Sequence, residues 1–280
     1  LQPRIDTLID LALEEDAAYG DITSQSIFSS DHVSSATVLA REDMVVCGLD
    51  IAQRVFHRVD PGMKIELKAD DGDQVANGST ILTAEGSTIS LLIAERTALN
   101  FLQRLSGIAS LSQRYAKAIA RTGVRIVDTR KTTPGWRALE KYAVRCGGCF
   151  NHRSSLGEHV LIKENHITAA GSLKKAINLA RDFAPHCAKI EVETESLNDV
   201  KEALEAGAEV IMLDNMTPSQ IQQAVALINK AATIEVSGGI SLDTIGEYAL
   251  PGVDVISIGA LTHSAPAADF SMIIPAQTRE

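Results

Sequence analysis

A chain of 280 residues with a formal net charge of -10, 45% hydrophobic and 22% charged residues, can bury a full-sized core. Its composition is that of a globular protein in water, which excludes a disordered tail and a fibrous repeat. The acidity argues against a nucleic-acid partner, and no apolar run reaches the roughly 18 residues needed to span a bilayer, since Glu95, Arg96 and Asn100 break even Thr88–Leu102.

Leu1–Asp16 reads as a short amphipathic helix carrying Arg4, Asp6, Asp10, Glu14, Glu15 and Asp16. It lacks a basic segment followed by an apolar run, so no secretory leader is expected and the expected location is cytoplasmic. Strand-like pieces follow at Ala36–Ala40, Met44–Cys47, Lys64–Lys68 and Thr80–Thr83, with a helix near Leu49–Arg58 and turns at Asp71-Gly72-Asp73 and Asn77-Gly78. They predict a small α+β domain. A long helical pattern then runs from Thr88 to about Ala120, with an interruption expected near Gly107.

From Arg125 the pattern changes to strand then helix. Apolar runs at Arg125–Asp128, His159–Ile162, Lys189–Val192, Val210–Leu213, Thr233–Val236 and Val253–Ile258 alternate with amphipathic stretches such as Ser172–Phe183, Leu197–Ala206, Pro218–Asn229 and Leu242–Ala249. Near-continuous apolar strands joined by helices predict parallel strands buried on both faces. Polar groups stand just past each strand: Thr129-Arg130-Lys131, Lys163-Glu164-Asn165-His166, Glu193, Asp214-Asn215, Ser237-Gly238-Gly239 and Gly259-Ala260. A (β/α) barrel brings all such positions to one rim, whereas a doubly wound sheet gathers only those at its switch point. The barrel is therefore the expected fold.

The last two strand ends form an expected phosphate cradle, because Ser237-Gly238-Gly239 and Gly259-Ala260 leave backbone N–H groups unobstructed before helix-like segments. From Arg125 to Lys163 eight cations face only Asp128, Glu140 and Glu158. Among them Arg130, Lys131, Arg153 and Lys163, with His152, form the candidate anion site, since guanidinium suits carboxylates and lysine suits phosphate oxygens. Arg137, Lys141 and Arg145 fit a solvated helix face. Glu193 and Asp214, isolated acids at strand ends, suggest a magnesium ion held with substrate oxygens, or direct stabilisation of a cationic sugar. Four cysteines fit a reducing compartment. The pair Cys146-x-x-Cys149 lacks further ligands at familiar spacing and is assigned no role.

Asp128–Gly135, Lys141–Val144, Asn151-His152-Arg153, Leu161–His166, Glu191-Val192-Glu193 and Met212–Asn215, together with Glu95–Asn100 and Gly259–His263, closely resemble the quinolinate phosphoribosyltransferase family. The resemblance spans nearly the whole chain, departing near the site at Cys149 and Ser154-Ser155. It implies an N-terminal α/β sandwich domain over residues 1–110 and an incomplete seven-stranded (β/α) barrel over 111–270. A C-terminal tail over 271–280 is expected to pack back on the first domain. Positions matching Arg130, His152, Arg153 and Lys163 would surround quinolinate, and those matching Lys131, Lys163, Glu193 and Asp214 would face phosphoribosyl pyrophosphate. Arg96 matches an arginine that reaches quinolinate from the neighbouring subunit, so a homodimer with shared active sites is implied. The implied reaction is magnesium-dependent phosphoribosyl transfer with decarboxylation. Two alternatives are a transferase for a monocarboxylate such as nicotinate and, from the Asp71–Gly78 turn, a biotinyl or lipoyl carrier module.

Overall fold

The computed structural model describes residues 2–275, with side chains from residue 5 onward. In chain order the elements are α1 (Gln2–Ala17), α2 (Ile22–Ile27), β1 (Val33–Ala40), β2 (Met44–Val45), α3 (Leu49–Val59), β3 (Lys64–Leu67), β4 (Gln74–Val75), β5 (Thr80–Ser87) and α4 (Thr88–Ala118). They continue with β6 (Arg125–Val127), α5 (Arg137–Cys146), β7 (Val160–Ile162), α6 (Glu164–Ala170), α7 (Leu173–Phe183), β8 (Ile190–Thr194), α8 (Leu197–Glu205) and β9 (Val210–Asp214). Last come α9 (Pro218–Ile228), β10 (Thr233–Ser237), α10 (Ile245–Tyr248), β11 (Val255–Ser257), α11 (Ala260–His263) and β12 (Phe270–Ile273). The chain divides into two compact units: the first holds residues through Leu111, Pro134–Gly147 and the residues from Ala265 on, the second Ser112–Thr133 and Gly148–Ser264. The barrel domain expected over 111–270 is thus not continuous, because the α5 segment belongs to the first unit.

The first unit is built on an antiparallel sheet in the order β12-β1-β5-β3. Along β1 the side chains of Ala36, Val38 and Ala40 are buried while their neighbours are not, the period-two pattern of a strand with one covered face. β12, absent from the sequence reading, pairs with β1 from Thr37↔Ile273 to Ala40↔Phe270. The 271–280 tail therefore starts within a strand, and residues 276–280 lie outside the described residues. The Asp71–Gly78 segment is not a carrier hairpin: Gln74 and Val75 pair with β2, and Asp71 Oδ1 accepts from the N–H groups of Gly48 and Leu49 at 2.9 and 3.0 Å, capping the start of α3.

α4 runs unbroken through Gly107, where an interruption was expected. Glycine costs about 1 kcal/mol against alanine in a helix, but here a Cβ would lie 2.0 Å from the Pro266 carbonyl oxygen. The missing side chain admits a crossing segment. α5 also departs from the expected solvated face: Lys141 is buried, and Glu140, fully buried, accepts from Arg104 at 2.7 and 3.0 Å. Phe101 stacks on Trp136 at 4.6 Å between ring centres.

The second unit carries a six-stranded parallel sheet in the order β6-β11-β10-β9-β8-β7. Its first strand lies beside its last, the adjacency that curls a parallel sheet into a barrel. The seventh strand, which the sequence did not reveal, is a single parallel bridge from Phe150 to Val127, made by Phe150 N–H to Ile126 O at 2.8 Å and Asp128 N–H to Phe150 O at 3.2 Å. Phe150 flanks β6 and β7 forms the opposite edge; no strand pairing joins them among the described residues, so the barrel stays incomplete. The strands are apolar inside, with Ile126, Val192, Ile211, Val236 and Ile256 all buried. The helices between them are capped by Ser172, Ser196 and Thr217, each accepting a backbone N–H, which fixes where each crossover begins.

Candidate active site

Parallel strands point their C-terminal ends one way, so the polar residues after them converge. A cavity of about 440 Å³ at this end is lined by Arg130, Lys131, His152, Arg153, Lys163, Glu193, Asp214 and Ser237, with Thr129, Leu161, Met212, Glu235 and Ser257. A second cavity of about 480 Å³ is lined by Gly238, Gly239, Gly259 and Ala260 among others, and shares Thr129, Lys131, Asp214, Ser237 and Ser257 with the first. One mouth thus has a cationic half and a glycine-lined half. Both cavities lie in the second unit. Arg96, by contrast, is exposed on α4 of the first unit and lines neither.

The cationic half is built on Asp128, fully buried at the end of β6. Its carboxylate accepts from Asn151 Nδ2 at 2.6 Å and from the His152 N–H at 2.9 Å, fixing the backbone that carries His152 and Arg153. Arg153 is 7% exposed, donates to the His159 carbonyl at 3.0 Å, and leaves Nε without a hydrogen-bond partner among the described residues. Burial first, then the charge of Arg130, hold its pKa below the usual range. A buried guanidinium with an unspent donor, beside a second arginine, calls for an anion.

His152 accepts the Arg153 N–H at Nδ1, 2.8 Å away, while Nε2 lies 3.3 Å from Glu191 and 3.6 Å from Glu235. Both nitrogens are engaged within the protein, so the imidazole meets the cavity with its ring rather than a free N–H. Glu191, Glu235 and His159 have no role in the sequence reading. His159 Nε2 lies 3.0 Å from Glu191. Burial pushes the Glu191 carboxyl up, but the hydrogen bonds to His152 and His159 outweigh it and bring it down to about 2. Burial, then repulsion from Glu191, push Glu235 up to about 7. Glu235 lines the cavity and Glu191 stands behind it, so one acid is held ionised and its neighbour is lifted to titrate near neutral pH, a divergence of the kind that separates acid and base roles in a site. The available signal was a charged residue inside an apolar strand.

At the junction, Lys163 Nζ pairs with Glu193. Glu193 sits opposite Met212 in the β8–β9 register, so Asp214, two residues on, points the same way one step nearer the mouth. Asn215 donates to Asp214 at 2.8 Å, and its own N–H reaches the Ser237 carbonyl at 2.9 Å. Gly238, at φ +102°, packs so closely that a Cβ would lie 2.2 Å from Asn215 Oδ1, whereas a Cβ on Gly239 would meet nothing within 4 Å. The first glycine is required by packing and the second leaves its backbone open to a ligand. Gly259 leads directly into α11, whereas α10 begins only at Ile245, inside the Leu242–Ala249 stretch read as helical.

The chain matches the family models for the N-terminal domain of quinolinate phosphoribosyl transferase over residues 21–106 and for its C-terminal domain over residues 108–273. A Synechocystis protein described as a probable nicotinate-nucleotide pyrophosphorylase (carboxylating) is 43% identical, the match covering 96% of this chain and 92% of that one. A Nicotiana tabacum quinolinate phosphoribosyltransferase (decarboxylating) is 41% identical over 95% of this chain and 81% of its own. The crystal structure of NadC from Streptococcus pyogenes superposes with a TM-score of 0.94 at 44% identity, covering 98% of this chain and 96% of that one. Continuous identity of this order across both units leaves one conclusion: the chain belongs to the quinolinate phosphoribosyltransferase family.

Proposed function

We propose that the protein transfers phosphoribosyl from phosphoribosyl pyrophosphate to quinolinate, with loss of pyrophosphate and carbon dioxide, giving nicotinate mononucleotide for NAD biosynthesis in the cytoplasm. The observation that carries this reading is the wall of Lys131, Asp214 and Ser237 common to the two cavities. It joins a pocket suited to neighbouring carboxylates to a pocket suited to phosphates, and the new bond forms where they meet. Arg130 and Arg153 take the carboxylates of quinolinate through paired hydrogen bonds. The glycine backbone at 238–239 and 259–260, with Lys131 and Lys163, takes the phosphates.

As the ring nitrogen attacks the ribose C1 and pyrophosphate departs, positive charge gathers on the sugar. Glu193 and Asp214 supply the negative charge that stabilises it. The ring nitrogen is then cationic and stabilises the carbanion left at C2 when the adjacent carboxylate leaves, so decarboxylation draws mainly on the substrate's electronics. Two carboxylates on adjacent strands beside a phosphate-binding wall fit magnesium, which takes hard oxygen ligands from protein and substrate together. Glu193 and Asp214 would hold it with substrate oxygens, and when bound it would neutralise charge on the leaving pyrophosphate.

The reading includes a homodimer. Arg96 is exposed and outside both cavities, and in this reading it serves the quinolinate of a partner subunit. Incubating the pure protein with quinolinate, phosphoribosyl pyrophosphate and magnesium should give nicotinate mononucleotide and carbon dioxide in equal amounts. Turnover of nicotinate in preference, without carbon dioxide, would assign the site to a monocarboxylate instead.

A further inference from the structure

In the first unit, and lining neither cavity, Cys47 Sγ, Cys146 Sγ and a carboxylate oxygen of Asp71 lie within 4.8 Å of one another. Both cysteines are free thiols. Cys47 is fully buried just before α3, whereas Cys146, the last residue of α5, is half-buried. The sequence pairs Cys146 with Cys149, but Cys149 is spent elsewhere: it is buried in the second unit and its thiol donates to the Ser112 carbonyl at 3.2 Å. Asp71 already ties the same two elements together, accepting from Gly48 and Leu49 at the start of α3 and from the Tyr142 hydroxyl of α5 at 2.9 Å.

We propose that Cys47 and Cys146 form a reversible dithiol–disulfide couple whose co-substrate is a small-molecule disulfide. Two thiols whose sulfurs lie within 4.8 Å, one half-buried and one fully buried, have the arrangement of an attacking and a resolving cysteine. The neighbouring Cys47 thiol holds the Cys146 thiol below its ordinary range against burial, so Cys146 is the attacking group. Cys47 is pushed up by the Cys146 thiol beside it and by burial, and it reacts second. The Cys146 thiolate attacks one sulfur of the small disulfide and expels one thiolate, leaving a mixed disulfide. The Cys47 sulfur then attacks the Cys146 sulfur and expels the second thiolate. Two protein thiols are oxidised, one small disulfide is reduced to two thiols, and the protons lost by Cys47 and Cys146 end on them. The product covalently joins the start of α3 to the end of α5, the elements that Asp71 now holds by hydrogen bonds.

The test uses the full-length protein carrying Cys187→Ser, which removes an exposed thiol that would otherwise take up the reagent. The protein is equilibrated with mixtures of oxidised and reduced glutathione, quenched with acid, alkylated, and weighed intact and as peptides. The expected result is a loss of about 2 Da, the two thiol hydrogens, with a peptide cross-link from Cys47 to Cys146 that excess reduced glutathione reverses. Adding Cys47→Ser should stop the reaction at one glutathione on Cys146, and adding Cys146→Ser should leave Cys47 unreacted. The Cys187→Ser protein alone decides the matter even where a double variant folds poorly. Both thiols staying open to alkylation in the most oxidising mixture, a stable glutathione adduct on Cys146 in place of an internal bond, or a cross-link to Cys149 would each overturn the proposal.

Discussion

Replacing Glu235 by glutamine tests the claim that burial beside Glu191 lifts the Glu235 carboxyl into the neutral range. Burial, and then repulsion from Glu191, raise the Glu235 carboxyl from an ordinary 4.5 to about 7. A value higher in the folded than in the unfolded state means that folding takes up a proton between the two. The stability tied to this group is therefore complete below about pH 4.5 and is lost as pH rises through about 7. At about 1.4 kcal/mol per tenfold change in proton concentration, the interval from 4.5 to about 7 corresponds to about 3 kcal/mol. Glutamine keeps the shape and cannot ionise. Glu191, lowered to about 2, obeys the opposite rule: its contribution is present above about pH 4.5 and lost only as pH falls, so it is nearly constant across the window tested. Urea unfolding of wild type and Glu235→Gln near pH 4.5 and near pH 8, extrapolated to water, gives the comparison. Relative to wild type, the variant should gain about 3 kcal/mol between the two conditions. A stability difference that does not change with pH would refute the raised pKa assigned to Glu235.

Arg153→Lys keeps the charge and loses the fork, so titration calorimetry should show quinolinate binding weakened by about 2 kcal/mol or more with phosphoribosyl pyrophosphate binding little changed; equal losses would remove Arg153 from the carboxylate pocket. Asp214→Asn should leave the circular dichroism spectrum intact and lower turnover roughly a hundredfold, because the amide removes the charge facing the sugar; near-normal turnover would make Asp214 structural. Gly107→Ala puts a methyl group 2.0 Å from the Pro266 carbonyl, and thermal unfolding should show a loss of about 3 kcal/mol or more; unchanged stability would mean that the crossing segment yields freely. Random equimolar mixing of Arg96→Ala and Arg153→Ala chains, each inactive alone, should recover about a quarter of wild-type activity if Arg96 acts across the two-fold axis; no recovery with mass-verified heterodimers would sink the shared site.

The parts of the site legible in the sequence share one physical property: each stands at or just past the C-terminal end of a parallel strand. Arg130, Lys163, Glu193, Asp214 and Ser237 could be placed on one rim from local pattern alone, because parallel register carries every strand's last residue to the same end. Phe150 shows where that reasoning stops. Its strand is one bridge long, and a single pairing leaves no periodicity to read. Glu191 and Glu235 show a second limit. Alternation puts Glu191 on the same side as Glu193, yet whether such an acid is ionised, neutral or paired depends on the histidines of another segment and on the neighbouring strands. Gly107 and Cys47 show a third. Each is explained by an atom far along the chain, the Pro266 carbonyl in one case and the Cys146 sulfur in the other, and local propensity reads the first as a helix break and the second as an isolated thiol. The positions that resist the sequence are therefore those whose chemistry is created by tertiary contact. Glu235 belongs with them, because an isolated glutamate is ionised at neutral pH, and only enclosure beside a second, already ionised carboxylate lifts its pKa to about 7 in the wall of the cavity.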